Sequence, residues 1–193
     1  MTLKMLLAAA IVTISIPTIG QVVPEVQGDH APLTVGVGYS NYNTNLSGRV
    51  GGPMFWADWK FFEGPSPLHG LGVEVEGRDL NYNRTGSVPN LRMDTISGGP
   101  IYALHINRIF NPYAKFLLGF GSIDFISSNP NYKHDTRALY APAGGLEYSV
   151  YKDLSVRGDY EYQFWTNFFN HHALNPNGVT IGISYKFGRS YEP

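Results

Sequence analysis

Polar and apolar residues alternate one by one along much of this chain, and charged residues stay on one side of the alternation. In the stretch GVEVEGR (72–78), for example, Val73 and Val75 alternate with Glu74 and Glu76. Successive side chains of a β-strand point to opposite faces. A period of two residues therefore predicts strands that each have one apolar and one polar face.

Eight segments have this period, so an all-β chain is predicted, with no helix. The predicted strands cover 32–43, 53–62, 69–82, 93–106, 112–124, 138–150, 154–166 and 178–187. The connections after the second, fourth and sixth strands are short, whereas the others are mostly longer and rich in Asn, Gly, Ser and Pro. This alternation is typical of an antiparallel up-and-down transmembrane β-barrel with short periplasmic turns and longer extracellular loops.

The two faces of the predicted strands differ in charge. The apolar face carries no charged residue, and the opposite face carries Asp58, Lys60, Glu74, Glu76, Arg78, Lys115, Glu147, Arg157, Asp159, Glu161 and Lys186. A Lys or Arg that faces lipid near the bilayer midplane costs about 2–4 kcal/mol. The charged face is therefore predicted to line the barrel interior as a paired polar network. Eight strands enclose an interior that side chains just fill, so no wide pore is predicted.

The beginning of the chain has the pattern of a secretory signal peptide. Lys4 precedes an uncharged apolar run at 6–16, which Pro17 ends. The predicted organisation is a signal peptide at 1–20, an N-terminal periplasmic segment at 21–31, one barrel domain at 32–187 and a C-terminal tail at 188–193.

The composition excludes several other classes of protein. There is no cysteine, which excludes disulfide-stapled scaffolds and thiolate zinc sites. The formal net charge is −1 and the basic residues are scattered, whereas nucleic-acid binding needs a clustered basic surface. Charged residues make up 15% of the chain, below the roughly 25% that is typical of soluble domains.

The last predicted strand carries a recognisable pattern. GVTIGISYKF (178–187) reads polar-x-Gly-x-x-aromatic-x-aromatic from Thr180 through Gly182 and Tyr185 to Phe187. Further barrel-like stretches are GLGVEVEGRDLNYN (70–83), GGPIYAL (98–104), APAGGLEYSV (141–150) and VRGDYEYQFW (156–165). On these residues the chain resembles the small eight-stranded outer-membrane barrels, which include the OmpA transmembrane domain, OmpX and the opacity-protein group.

The resemblance implies a location in the bacterial outer membrane, with lipid and lipopolysaccharide as partners and no cofactor. It also implies that Thr180, Gly182, Tyr185 and Phe187 form the C-terminal signal that the barrel-assembly machinery recognises. Residues 188–193 follow Phe187, whereas the family pattern ends the chain at its final aromatic, and this departure bears on the expected docking to that machinery.

The expected role is structural, or one of adhesion and surface display through extracellular loops that would carry any external ligand. The chain is expected not to be an enzyme. Two alternatives stay open, a lipid A-modifying enzyme and a narrow ion channel. A lipid A deacylase would require a serine paired with a histidine on the outer wall, and no such pair is evident in the sequence.

Histidines offer the main candidate metal ligands. His134 and Asp135 lie in one predicted loop, and His171 and His172 lie in another. Because their spacing defines no coordination geometry, no metal, cofactor or catalytic site is predicted.

Aromatic residues near strand ends are predicted to form girdles at the two membrane surfaces. The predicted girdles are Tyr39, Phe55, Tyr140 and Phe164 on the loop side and Phe61, Phe110, Tyr113, Tyr148, Tyr185 and Phe187 on the other side. Pro100 and Pro142 interrupt predicted strands and are predicted to mark β-bulges.

Overall fold

The computed structural model describes residues 33–45, 48–60, 70–86, 91–104, 109–124, 134–151, 153–168 and 172–187. The predicted signal peptide, N-terminal segment and C-terminal tail lie outside the described residues. Within the described residues, no helix is long and apolar enough to cross a membrane.

Strands dominate the described chain. They are β1 (Leu33–Asn43), β2 (Gly48–Lys60), β3 (Leu71–Leu80), β4 (Tyr82–Gly86), β5 (Arg92–Ala103), β6 (Phe110–Asp124), β7 (His134–Ser149), β8 (Leu154–Tyr162), β9 (Phe164–Phe168), β10 (His172–Leu174) and β11 (Asn177–Phe187). Short breaks separate β3 from β4, β8 from β9, and β10 from β11, and β10 lies in a segment that was predicted to be a loop. Each divided pair continues one line of backbone, so the strands form eight staves.

The eight staves close into an antiparallel barrel, as predicted. β1 pairs with β2 on one side and with β11 on the other, from Leu33 opposite Phe187 to Asn43 opposite Asn177. β11 pairs with β8, which pairs with β7, and the ladder continues through β6, β5 and β3 back to β2. The first and last strands therefore have partners on both sides. We call the end at which β1 begins the terminal end, and the opposite end the loop end.

Several connections at the loop end are shorter than predicted because the strands extend into them. β2 begins at Gly48 rather than at residue 53, and β7 begins at His134 rather than at residue 138. β4 pairs with β2, and β10 pairs with β9, so these ladders extend toward the loop end. Continuing the ladder gives the backbone N–H and C=O groups partners that an irregular loop would lack.

The outward face of the barrel is apolar, with the parity that the sequence predicts. Ile181, Ile96 and Phe120 are 65%, 62% and 61% exposed. Val35, Val75 and many other large apolar side chains on this face are also exposed. A continuous exposed apolar surface of this size is typical of a protein that faces lipid.

Aromatic side chains occupy both ends of this outward face. Tyr140 stacks on Phe164 with ring centroids 4.9 Å apart toward the loop end. At the terminal end, Phe110 lies 5.1 Å from Tyr148, and Tyr185 lies 4.8 Å from Phe187. Six of the predicted girdle residues therefore form three pairs of rings in contact, and Phe61 lies outside the described residues.

Tyr113 is an exception, and its prediction as a girdle residue is wrong. Its side chain is 6% exposed and lies inside the barrel. The outward positions of β6 are Ala114 and Phe116, so the strand alternation turns Tyr113 inward.

The interior has an apolar layer at the loop end that the predicted polar lumen does not include. The layer is a cluster of buried side chains: Tyr42, Val50, Leu80, Leu91, Met93, Leu117, Ile123, Leu139, Ala141, Trp165 and Leu174. A smaller cluster of Ile101, Ala103 and Tyr113 lies nearer the terminal end. The polar interior therefore has an apolar layer on its loop-end side.

The prolines inside strands do not mark bulges, so that prediction is wrong. Gly98 pairs with Leu118 and Ile101 pairs with Lys115, which keeps one register across Pro100. The register is likewise unchanged across Pro142 in the ladder between β7 and the stave of β8 and β9. Proline has no N–H to donate, and here it removes a rung of the ladder without inserting a residue.

Glycines on the inner wall make room for a large ring. A Cβ atom on Gly36 would lie 2.2 Å from the Trp56 ring, and one on Gly182 would lie 2.6 Å from the same ring. Trp56 itself is 2% exposed. Its packing in the lumen therefore requires the absence of a side chain at both positions.

We expect Gly36→Ala to destabilise the barrel by about 1–3 kcal/mol, because the added methyl group overpacks the interior against Trp56. The free energy of unfolding in urea, measured in lipid vesicles, checks this. Gly77→Ala is the matched control, since a Cβ there meets nothing nearer than 3.9 Å. Equal stability of the two variants would show that Trp56 does not need this space.

Candidate functional site

Two staves on opposite sides of the barrel carry complementary charges. β3 and β8 belong to the third and the seventh of the eight staves, and both run from the terminal end to the loop end. In that direction, the inward charges of β3 are acidic, acidic and basic: Glu74, Glu76 and Arg78. Those of β8 are basic, acidic and acidic: Arg157, Asp159 and Glu161. We call these three successive inward positions, counted from the terminal end, the first, middle and third heights. Opposite charges therefore meet at the first and third heights.

Arg157 forms the contact at the height nearest the terminal end. One Nη atom lies 2.9 Å from Glu74 Oε1, and the other lies 3.3 Å from Asp58 Oδ2. Asp58 and Glu74 are directly opposite each other on β2 and β3, a placement that is unfavourable for like charges. Arg157 binds both carboxylates and so compensates this repulsion. Its Nε atom also donates to the hydroxyl of Tyr113 at 2.6 Å.

Lys115 on β6 occupies the middle height. Its Nζ atom lies 2.7 Å from Glu74 Oε1 and 2.7 Å from Glu76 Oε2. The nearest oxygens of Asp159 and Glu161 are 3.7 and 3.9 Å away. One ammonium group therefore links carboxylates from both opposite staves.

Arg78 forms the contact at the height nearest the loop end. It binds Glu161 in a bidentate manner, at 3.1 and 3.0 Å, and it also pairs with Glu76 on its own strand. Glu161 receives further hydrogen bonds from Tyr42 at 3.0 Å and from Gln163 at 2.7 Å. Bidentate geometry and additional donors are what a buried ion pair needs to offset its desolvation.

Aromatic rings cover the two arginines. The Arg157 guanidinium lies 5.0 Å from the Trp56 ring and 4.4 Å from the Tyr113 ring. The Arg78 guanidinium lies 5.3 Å from the Tyr42 ring. These cation–π contacts add attraction in a site without water access, and they fill the space around each cation.

The structure brings eight of the eleven predicted lumen residues together. These eight are almost completely buried: Asp58, Glu74, Glu76, Arg78, Lys115, Arg157, Asp159 and Glu161. The remaining three, Lys60, Glu147 and Lys186, lie on the inward side toward the terminal end and are only half-buried. The described core of the network thus joins three cations to five carboxyl groups.

Several members of the network were not predicted. Tyr42, Tyr113 and Gln163 contact its charged groups directly, and Trp165 donates to Gln163 Oε1 at 2.9 Å. Gln163 and Trp165 continue the i, i+2 series of inward positions on the stave that begins with Arg157. The alternation along the strand could therefore have identified Gln163 and Trp165 as inward residues. They were missed because an uncharged side chain does not by itself indicate which face it occupies.

This arrangement fills the barrel rather than lining a passage. Ion pairs join opposite walls at three heights, and the apolar layer at the loop end lies above them. Within the described residues, charged side chains therefore cross the interior of the barrel at three heights.

The four residues of the C-terminal pattern lie on the closing strand. Thr180 is buried and bonds to Ser40 on β1, with the two hydroxyl oxygens 2.8 Å apart. Gly182 faces inward under Trp56, while Tyr185 and Phe187 are exposed on the outer wall. β11 pairs with both β1 and β8, so this pattern occupies the strand on which closure depends.

The described histidines do not form a metal site. His134 and Asp135 point to opposite faces of β7, and Asp135 pairs with Arg137 at 2.9 Å. His171 lies outside the described residues, as does the side chain of His172. In the part of the chain that the structure describes, no group of three or more His, Cys, Asp or Glu side chains is placed to hold a metal ion.

Comparisons with known proteins agree with this geometry. The family model described as "Outer membrane protein beta-barrel domain" matches residues 6–187. Neisserial surface protein A is similar in structure, with a TM-score of 0.64, 14% identity, and coverage of 81% of this chain and 96% of that chain. No curated protein sequence matches the chain.

Two further solved structures have the same fold. Ail, the attachment invasion locus protein of Yersinia pestis, in complex with the heparin analogue sucrose octasulfate, gives a TM-score of 0.57 at 17% identity, covering 82% of this chain and 99% of that chain. OprG from Pseudomonas aeruginosa gives 0.55 at 13% identity, covering 83% and 98%.

We expect Arg157→Leu to lower the stability of the folded barrel by about 3–5 kcal/mol, because Glu74 and Asp58 would lose their shared buried cation. The midpoint of urea unfolding in detergent measures the effect. Lys60→Met removes the same charge from a half-buried position and should have a much smaller effect. An unchanged midpoint for Arg157→Leu would contradict the structural role of the network.

Proposed function

We propose, from the premise that this chain belongs to the outer membrane protein beta-barrel domain family, that it is a surface-display and adhesion scaffold. It is a β-barrel protein of the bacterial outer membrane, and lipid surrounds its apolar outward face. In this proposal the barrel is a rigid support, and the hairpins at its loop end are the binding surface. Binding residues are commonly carried on loops that a rigid scaffold positions.

The observation that carries the proposal is the combination of a filled interior with extended hairpins. The ion pairs of Arg78, Lys115 and Arg157 occupy the lumen, which favours a role other than transport through it. At the loop end, β2 with β4 and β6 with β7 continue as paired strands. Paired strands hold their outward side chains in fixed positions, and a fixed surface loses less entropy on binding a ligand.

The similarity to Ail, an attachment and invasion protein, supports an adhesive role. In that structure Ail is bound to sucrose octasulfate, an analogue of heparin. This ligand is highly anionic. The described loop-end wall of this chain carries both signs, because Arg92 pairs with Asp79 and Asp94 at 3.0 Å each. We therefore propose a ligand recognised by mixed polar and aromatic contacts rather than by a basic patch.

Assembly in the membrane would depend on the closing strand. We propose that Thr180, Gly182, Tyr185 and Phe187 are recognised by the barrel-assembly machinery and that lipopolysaccharide contacts the outward wall at the loop end. The position of these four residues on β11, whose two ladders close the barrel, supports a signal that acts at the final pairing step.

The adhesion proposal predicts that binding depends on the loop end. Gram-negative cells that produce the protein should adhere to host epithelial cells or extracellular matrix at least tenfold more than cells that produce a variant with residues 125–133 replaced by a short Asn-Gly turn. A variant with a matched replacement in the connection 61–69, at the terminal end, is the control. Heat-modifiability on gels would verify that each variant is folded. Equal adherence of all strains would contradict the proposal.

A filled lumen predicts that the barrel does not conduct ions. The purified protein in planar bilayers should give no discrete conductance steps under conditions in which a general porin gives them. Reproducible steps that disappear when Lys115 is replaced by Met would favour the ion-channel alternative instead.

A further inference from the structure

The outer wall at the loop end carries a chain of three hydrogen-bonding side chains that takes no part in the lumen network. His134 Nδ1 lies 2.5 Å from Asp124 Oδ1, and His134 Nε2 lies 3.0 Å from Thr136 Oγ1. A carboxylate on one imidazole nitrogen and a hydroxyl on the other is the arrangement that activates a hydroxyl nucleophile. The sequence did not indicate this pairing, because the hydroxyl belongs to threonine and the carboxylate to a neighbouring strand.

Strand register brings the three residues together. His134 and Thr136 are two positions apart on β7 and so share its outward face, and Asp124 is the ladder partner of His134 on β6. The side chains are open to substrate, since those of His134 and Asp124 are 59% and 40% exposed and Thr136 is also exposed. In the tautomer with the imidazole proton on Nδ1, that proton is donated to Asp124, and Nε2 is free to accept the Thr136 proton.

An apolar groove continues from this group down the same wall. It has a volume of about 360 Å³ and lies between β6, β7 and β9. Its lining includes Leu118, Phe120, Ala138, Tyr140 and Thr166. Ala138 lines the groove and is the next outward residue of β7 after Thr136, so Thr136 lies one outward position beyond the groove lining.

The height of Thr136 matches the boundary between acyl chains and lipid head groups. It lies two outward positions beyond Tyr140, which belongs to the aromatic girdle, and this spacing is about 13 Å along a strand. A strand tilt of roughly 35–45° reduces the distance to about 10 Å in height. An acyl chain in the groove would thus bring its ester group close to Thr136.

We propose that Thr136, His134 and Asp124 form a hydrolytic triad that cleaves a long-chain acyl ester of an outer-leaflet lipid. This activity goes beyond the display role, and it departs from the expectation drawn from the sequence that the chain is not an enzyme. The ester belongs either to the lipid A part of lipopolysaccharide or to a phospholipid, and both present the same chemistry to the wall.

The reaction balances with water as the only co-reactant. Thr136 Oγ attacks the ester carbonyl carbon, and its proton passes to His134 Nε2. The bond between the carbonyl carbon and the alcohol oxygen then breaks, and the leaving alcohol takes that proton. Water hydrolyses the acyl-threonine through the same imidazole, which releases the fatty acid and restores the hydroxyl. Asp124 stabilises the imidazolium in both steps.

Ser122 is the candidate donor to the oxyanion. It is the ladder partner of Thr136 on β6 and shares the outward face, so the Cβ atoms of the pair are expected to be about 4.5–5.5 Å apart. Its hydroxyl is a hydrogen-bond donor on the same outward face as the Thr136 hydroxyl. A single donor predicts a slow enzyme.

The test uses the purified, folded full chain in two kinds of vesicle, one of phosphatidylethanolamine alone and one that also contains lipopolysaccharide. Mass spectrometry measures the released fatty acids. We expect release in at least one arm, and the arm identifies the lipid source. Thr136→Val, His134→Gln and Asp124→Asn should each reduce release by about 100-fold or more, whereas Thr136→Ser should retain it. Asp153→Asn, which removes an exposed charge at the terminal end of the barrel, is the control and should leave release unchanged.

A second measurement does not depend on the folding of a variant. A long-chain alkyl β-lactone, which acylates activated hydroxyl groups, should add its mass to the wild-type peptide that contains Thr136. Absence of fatty acid release in both arms, release that persists in folded Thr136→Val, or lactone modification confined to other residues would each overturn the proposal.

Discussion

The ladder between β1 and β11 is the interaction on which the rest of this structure depends. It joins the first strand to the last, from Leu33 and Phe187 to Asn43 and Asn177. In hydrocarbon, each unpaired backbone group costs several kcal/mol, so a sheet with two open edges could not reside there. Closure removes both edges. It then sorts the side chains, because each strand must turn one set of alternate residues to lipid and the other set to a narrow interior.

The interior set creates its own constraint. Charged groups taken from water are costly unless oppositely charged and hydrogen-bonding groups surround them. The three cations meet this requirement by contacting carboxylates on more than one strand, and Tyr42, Tyr113 and Gln163 supply further hydrogen bonds. The same contacts tie opposite walls of the barrel to each other. A rigid, filled scaffold is the consequence, and it leaves the loop end and the outer wall as the places where chemistry with other molecules takes place.

The sequence was sufficient to predict which residues of each strand face lipid and which face the interior, but not the contacts among the interior residues. It identified the eight staves and the outward face, because an Arg or Glu at every second position leaves no other assignment in lipid. It did not predict which charges meet, since that depends on the height of each residue after strand tilt and register are set. The pairing of Arg78 with Glu161 across the lumen is an example.

Other features escaped prediction for related reasons. Tyr113 has the composition of a girdle residue but the inward parity of β6. Pro142 leaves a gap in the ladder rather than a bulge, because the register on both sides is held by long runs of paired residues. The group of Asp124, His134 and Thr136 depends on a hairpin in which β7 begins before its predicted start, so His134 and Thr136 fell in what the sequence indicated was a loop.

The three tryptophans allow the most direct test of the inside-out arrangement. Trp59 is 56% exposed on the outward face, whereas Trp56 and Trp165 are each 2% exposed inside the barrel. Single-tryptophan variants, with the other two replaced by Phe, can be folded into vesicles of brominated phospholipid, which quenches indole fluorescence on contact. The account predicts strong quenching of Trp59 and little quenching of Trp56 or Trp165. Equal quenching of all three, or a Trp59 that responds to aqueous acrylamide and not to brominated lipid, would contradict it.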